Sequence, residues 1–162
     1  MREYGLFYFA ALCTVINLFT AVLKEVRVNA AAGLLALLAG LCGALFIYWS
    51  FYALYRDGRL SNYGGALRTT ALVDGGPYTI IRHPQYLGFM LINLTFMISN
   101  PHWLCVLCGA AAIAAFYFYT RQEERRLRRA FGPDYEAYLH DVPGFNAPLG
   151  LLRWLRTRDG LT

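Results

Sequence analysis

Two clusters of ionisable residues bracket a long uncharged stretch. Arg82-His83-Pro84 stands before it and Arg121 with Glu123-Glu124 after it, and from Pro84 to Thr120 there is no Asp, Glu, Lys or Arg. An arginine, an imidazole and two adjacent carboxylates suit a ligand that carries both signs of charge. The guanidinium can hold a carboxylate or phosphate, and a glutamate can hold a cation. The same glutamates could also form a solvated helix face, with Gln122 near Arg126 and Glu124 near Arg128 at helical spacing. Their position favours binding. A carboxylate where an apolar helix leaves a bilayer needs a cationic partner, and Arg82, Arg121 or a cationic ligand would serve.

The elements between the clusters must bring them together. Asn100-Pro101-His102-Trp103 is a turn signal near the middle of the uncharged stretch. An apolar helical hairpin folded there returns its ends to one side of a membrane. Mirror counting about the turn sets Arg82 opposite Arg121 and His83 opposite Thr120, with Glu124 about one helical turn away. Gly75-Gly76-Pro77-Tyr78 reads as a turn just before the Arg-His-Pro run. Pro84 suits the first turn of the third helix, where a missing N–H costs nothing. Arg82 and His83 then sit at a helix N-terminus, which favours an anionic ligand group.

The rest of the chain fits an all-α integral membrane protein with about four membrane segments. Of its 162 residues 57% are hydrophobic and 15% charged, below the roughly 25% charged residues of soluble domains. Leu6–Leu23 and Ala30–Tyr55 are uncharged and long enough to span. Tyr86–Ser99 and Leu104–Tyr119 are shorter, suiting short spans or a hairpin that dips into the bilayer while packed on protein. Leu6–Leu23 is too long for the apolar core of a signal peptide, and Lys24-Glu25-Val26-Arg27 follows it in place of a small-residue cleavage site. The chain reads as one membrane domain over 1–162, with two spans in 1–55 and the loop, hairpin and tail in 56–148.

Net charge is +5, and the arginines gather in the 56–85 loop (Arg56, Arg59, Arg68, Arg82) and in the tail from Arg121 to Arg158. The 100–103 turn has none. The positive-inside bias places loop, tail and N-terminus in the cytoplasm, with Lys24 and Arg27 running against it. Topology and anionic lipid headgroups account for this basicity, and no nucleic-acid signature is present. A loop of about thirty residues is too long to be an idle connection.

Asn17 and Asn93 lie within spans, where an amide packs against a neighbouring helix; Gly33, Gly40 and Gly43 permit close helix approach. Cys13, Cys42, Cys105 and Cys108 all lie in apolar segments and read as small buried residues, so no metal is expected. His102 and His140 read as incidental. Helix four should run on through Phe131 to a stop at Gly132-Pro133, with Asp134 capping a short helix Tyr135–His140 that Val142-Pro143 closes. Leu127, Phe131, Tyr135 and Tyr138 form a stripe that packs the tail on the loop. Leu149–Arg156 reads as an interfacial amphipathic segment anchored by Trp154. There is no G-x-G-x-x-G after a strand, no phosphate loop of the Walker type and no G-x-S-x-G.

One ordered set of residues resembles a known family. Gly76-Pro77-Tyr78, then Arg82-His83-Pro84-x-Tyr86-x-Gly88, an apolar hairpin, Glu123-Glu124, and Phe131-Gly132-x-x-Tyr135-x-x-Tyr138 before Val142-Pro143 are similar to the isoprenylcysteine carboxyl methyltransferases and their bacterial relatives. The phospholipid N-methyltransferases look like more distant kin. The resemblance covers about residues 72–148; the first two spans match only as membrane helices.

The resemblance implies a membrane methyltransferase that uses S-adenosylmethionine. Tyr78, Arg82, His83, Pro84, Tyr86, Leu87 and Gly88 would hold the cofactor, with Glu124 at its ammonium group and Arg82 at its carboxylate. Arg121 would orient a carboxylate substrate, or Glu123 would accept the proton of an amine. A lipophilic substrate would enter sideways from the bilayer. A bacterial inner-membrane location with both termini cytoplasmic is expected. In this chain Tyr119 stands near where the eukaryotic enzymes carry an arginine, and Gly144 where relatives often carry a basic residue. Two other readings stay open: an NADPH-dependent membrane sterol or enone reductase, which shares the C-terminal pattern, and a non-catalytic membrane subunit.

Overall fold

The computed structural model describes residues 4–24, 26, 28–58, 60–63, 66–69 and 71–158. Among them are six α-helices: α1 (Gly5–Leu23), α2 (Ala30–Asp57), α3 (Pro84–Ser99), α4 (Trp103–Phe131), α5 (Pro133–Asp141) and α6 (Ala147–Arg158). Strands β1 (Leu60–Tyr63) and β2 (Ala66–Thr69) pair antiparallel, Leu60 opposite Thr69 and Tyr63 opposite Ala66. The 56–85 segment, read from sequence as loop, thus carries a hairpin, and a 3₁₀ turn at Gly76–Thr79 as well. Glu25, Arg27, Arg59 and Gly64-Gly65, which entered the topology and loop readings, lie outside the described residues.

Three of these helices, α1, α2 and α4, are long and apolar enough to cross a membrane. The protein is a helical membrane protein on that ground. Helix α3 has 16 residues, about 24 Å of helix, short of the ~30 Å hydrocarbon core.

Local chemistry sets the helix ends. Pro84 opens α3 and Pro133 opens α5, both at first-turn positions where the absent N–H is no loss. Gly132 adopts φ +55°, a left-handed conformation that glycine tolerates. Its N–H closes α4 on the Arg128 carbonyl at 3.0 Å, and its own carbonyl receives the Glu136 N–H of α5 at 3.2 Å. Gly132 is thus both the stop of α4 and the N-cap of α5, whereas Asp134, expected as the cap, lies within the first turn of α5. There its negative charge still complements the helix dipole.

The chain packs as two compact units. The first comprises Met1–Leu45 and Tyr86–Glu124, hence α1, the start of α2, most of α3 and most of α4. A polar ladder crosses its apolar interior. Asn17 Nδ2 donates to Asn93 Oδ1 at 3.2 Å, and Asn93 Nδ2 donates to Thr14 Oγ1 at 3.0 Å. Both asparagines are fully buried, and each such bond within a membrane contributes about 0.6 kcal/mol, up to ~1.7. Thr95 Oγ1 bonds the Ala36 carbonyl at 3.2 Å, joining α3 to α2. A Cβ at Gly43 would meet the Gly88 carbonyl at 2.9 Å, so the glycine permits close contact of α2 and α3. Gly33, expected to do the same, has nothing within 4 Å.

The second unit comprises Phe46–Gln85 and Arg125–Thr162. Its core is Ala53, Val73 and Tyr78, with Leu54 and Tyr138 packed against them. Tyr135 is buried with its ring 5.9 Å from Tyr138. Tyr138 holds the tail to the loop, its phenol bonded to the Tyr78 carbonyl and its ring on the Ala53, Val73 and Tyr78 cluster.

Candidate functional site

The expected site residues fall in both units. In the first, Tyr86, Leu87 and Gly88 lie in the first turns of α3, and Arg121, Glu123 and Glu124 lie on α4. Tyr86 is buried, and its phenol donates to Glu123 Oε1 at 3.3 Å. The Tyr86 ring lies 5.6 Å from Tyr119 and 6.2 Å from Phe116. Phe89 stacks on Phe116 at 5.3 Å, and Phe7 of α1 reaches Tyr119 at 5.6 Å. An aromatic wall from three helices therefore stands beside the Glu123 carboxylate.

The hairpin register differs from mirror counting. Counting sets Tyr86 opposite Tyr117 and Phe89 opposite Ala114, but these rings meet Tyr119 and Phe116 instead. The displacement is about two residues toward the C-terminus of α4. Counting measures position along the chain, whereas the rings that meet are those on the helix faces turned toward each other.

Glu124 is 8% exposed, and its carboxylate lies 3.6 Å from Arg121 Nη1. Sequence spacing offers Arg128 as its partner; instead Glu124 meets Arg121 at i−3, and Arg128 pairs with Glu136 of α5 at 3.0 Å. The Arg121 side chain is 56% exposed. It lies along its own helix, with Nη2 donating to the Tyr117 phenol at 2.9 Å and the guanidinium 5.2 Å from that ring centre. Tyr117, Arg121 and Glu124 thus share one face of α4 at spacings of four and three.

In the second unit, Arg82 and His83 are held by the segment after α5. The Arg82 N–H donates to the Pro143 carbonyl at 3.0 Å and the His83 N–H to the Gly144 carbonyl at 3.3 Å. These two amides, expected to face an anionic ligand ahead of α3, are therefore spent on the chain itself. Arg82 Nη1 donates to the Leu139 carbonyl at 2.9 Å, near the C-terminus of α5, where a cation is favoured. A Cβ at Gly144 would come within 3.3 Å of Arg82 Nη2, so the missing side chain leaves room for this guanidinium. His83 is buried, with its ring 5.6 Å from Phe145, and Pro84 is fully buried beside it.

Tyr78 is buried, and its carbonyl accepts the Tyr138 phenol at 2.7 Å. Burial raises the Tyr138 phenol above its ordinary titration range, with nearby Tyr135 adding to the effect. Arg153 of α6 donates to the His140 and Asp141 carbonyls at 3.3 and 3.2 Å. The C-terminal turn of α5 therefore anchors Arg82 on one side and α6 on the other.

Sequence reasoning missed two neighbours of the expected residues. Tyr119 is one helical turn before Glu123, a spacing that would have found it. Phe145 carries no local signal, since His83 is 62 positions away.

Comparison with known proteins shows the family. A family model described as phospholipid methyltransferase matches residues 31–134, more than half of the chain. It takes in α2, which sequence reading had matched only as a membrane helix. The protein-S-isoprenylcysteine O-methyltransferase of Rattus norvegicus is 32% identical over 139 residues, covering 80% of this chain and 45% of the relative. The Homo sapiens protein of that name is 30% identical over the same length with the same coverage. Protein-S-isoprenylcysteine O-methyltransferase B of Arabidopsis thaliana is 34% identical over 77 residues, 44% of this chain and 37% of the relative. The chain thus spans about half the length of these curated relatives. No solved structure matches it. With more than half of its residues inside the family model, from α2 through the Tyr86–Glu123 pair to the start of α5, the chain belongs to the phospholipid methyltransferase family.

Proposed function

We propose that this protein is an S-adenosylmethionine-dependent methyltransferase acting at the membrane interface on a lipid or prenylated substrate with a carboxylate or amine nucleophile. Family membership supports the reaction class. The buried Glu124 carboxylate beside the Tyr86–Glu123 pair is the observation that carries the site. When bound, S-adenosylmethionine supplies a methyl group on a cationic sulfur, so a nucleophile's lone pair forms the new bond as the carbon–sulfur bond breaks and its electrons pass to sulfur.

The residue types suit such a cofactor, which carries an ammonium, a carboxylate and a sulfonium. Glu124 would meet the ammonium group, and Arg82 the carboxylate. Tyr78, His83, Pro84, Tyr86, Leu87 and Gly88 would orient it and shield it from water. Glu123, held by the Tyr86 phenol, adds negative potential for a cationic sulfur or takes the proton of an amine substrate. Arg121, with its exposed guanidinium, orients a carboxylate substrate, which needs no general base. The substrate is lipophilic and arrives laterally through the bilayer, with both chain termini in the cytoplasm.

Thermal stability of the purified protein with ligands tests the reading. Stabilisation by S-adenosylmethionine or its demethylated product is the expected result. Stabilisation by NADPH alone would make the protein a reductase, and stabilisation by neither would leave a non-catalytic subunit. Transfer of a labelled methyl group into a native lipid extract then identifies the substrate.

A further inference from the structure

At the other end of α3 and α4 from Tyr86 and Glu123, the first unit holds a cavity of about 390 Å³. Ile16, Phe19 and Leu23 of α1 and Leu104 of α4 form its wall, and Lys24 and His102 lie at its end. The α1 residues recur at helical spacing on one face, a groove about 12 Å long from 16 to 24.

The polar end is built from fixed parts. Asn100 Nδ2 donates to the Thr20 carbonyl at 3.3 Å and also to the Lys24 carbonyl, pinning the end of α1 to the α3–α4 turn. Asn100 Oδ1 accepts the His102 N–H at 3.3 Å. The Leu104 N–H donates to His102 Nδ1 at 3.3 Å, so the neutral ring carries its proton on Nε2. Lys24 and His102, whose side chains carry an ammonium and an imidazole N–H, thus border a groove whose lining is otherwise almost wholly apolar, and among the described residues that lining holds no carboxylate. Trp103, 68% exposed, stands next to this end, where an indole marks the membrane–water interface.

We propose that this groove binds one anionic phospholipid of the leaflet at the α3–α4 turn. An acyl chain lies along Ile16, Phe19, Leu23 and Leu104, and the phosphate meets Lys24 and His102. The assignment is independent of the methyl-transfer site. It also gives Lys24 a function: this lysine runs against the charge bias of the chain, and here it serves a ligand rather than topology.

Phosphatidylglycerol and phosphatidylcholine probes with a photoreactive acyl chain test the proposal on the whole protein in nanodiscs. The phosphatidylglycerol probe should label peptides containing Phe19 and Leu104, in competition with unlabelled phosphatidylglycerol. The Lys24→Gln, His102→Gln double variant should lower that labelling about five-fold or more, while labelling of the arginine-rich tail is unchanged and serves as the internal reference. Leu104→Trp fills the groove without touching the charges and should lower labelling as well. Equal labelling by the phosphatidylcholine probe, or labelling that survives the double variant, would reduce the groove to ordinary lipid contact and overturn the proposal.

Discussion

The phenol of Tyr86 donates to Glu123 Oε1 at 3.3 Å, across 37 positions of sequence. This bond ties the first turn of α3 to α4 at a buried tyrosine whose ring packs beside Phe116 and Tyr119. If the bond positions Glu123, the two residues are energetically coupled. Tyr86→Phe and Glu123→Gln should each lower methyl transfer, and the double variant should lose less than the sum of the two. A coupling of about 0.5–1.5 kcal/mol is expected from a double-mutant cycle. Strict additivity would mean that the bond does not matter for activity.

Glu124 is the proposed partner of the cofactor's ammonium group. Glu124→Gln keeps the shape and removes the charge, so affinity for S-adenosylmethionine should fall about 10- to 100-fold. Titration calorimetry reads this directly. Unchanged affinity would remove Glu124 from the cofactor site and leave it as the internal partner of Arg121.

At Gly43, a side chain would press on the Gly88 carbonyl and on Leu91 Cβ, at 2.9 and 3.1 Å. Gly43→Val should destabilise the protein by about 1–3 kcal/mol, whereas Gly33→Val, in open space, should leave stability within about 0.5 kcal/mol. Comparing their unfolding midpoints in the same detergent separates helix contact from a general effect of replacing glycine in a span.

Tyr138 supplies a pH signature. Its phenol is neutral when protonated, and burial raises its folded-state titration above the unfolded value of about 10. The contribution is complete below pH ~10 and is lost as pH rises beyond it, because the unfolded chain then releases a proton that the folded chain keeps. Tyr138→Phe should cost about 1 kcal/mol at neutral pH through the lost bond to the Tyr78 carbonyl. The gap between wild type and variant should narrow from pH 9 to pH 11 in denaturant titrations. A constant gap would mean that the phenol titrates normally in the folded state.

Much of this protein is set by its local sequence. Uncharged runs of helical length can satisfy their backbone in a membrane only as helices, so α1, α2 and α4 were legible from composition, and Pro84, Gly132 and Pro133 marked boundaries through backbone chemistry alone. The ordered Arg-His-Pro, Glu-Glu and Tyr-x-x-Tyr elements likewise pointed to the family. Partnership was not legible, because it depends on register and on distant backbone atoms. A displacement of about two residues in the hairpin decided that Tyr86 meets Tyr119 and Glu123. The carbonyls of Leu139, Pro143 and Gly144, which have no side-chain signature, decided where Arg82 and His83 are held. Residue types and their order along the chain determined which chemistry the protein carries; tertiary packing decided which groups share a hydrogen bond, since a bond needs atoms within about 3 Å and sequence distance does not measure that.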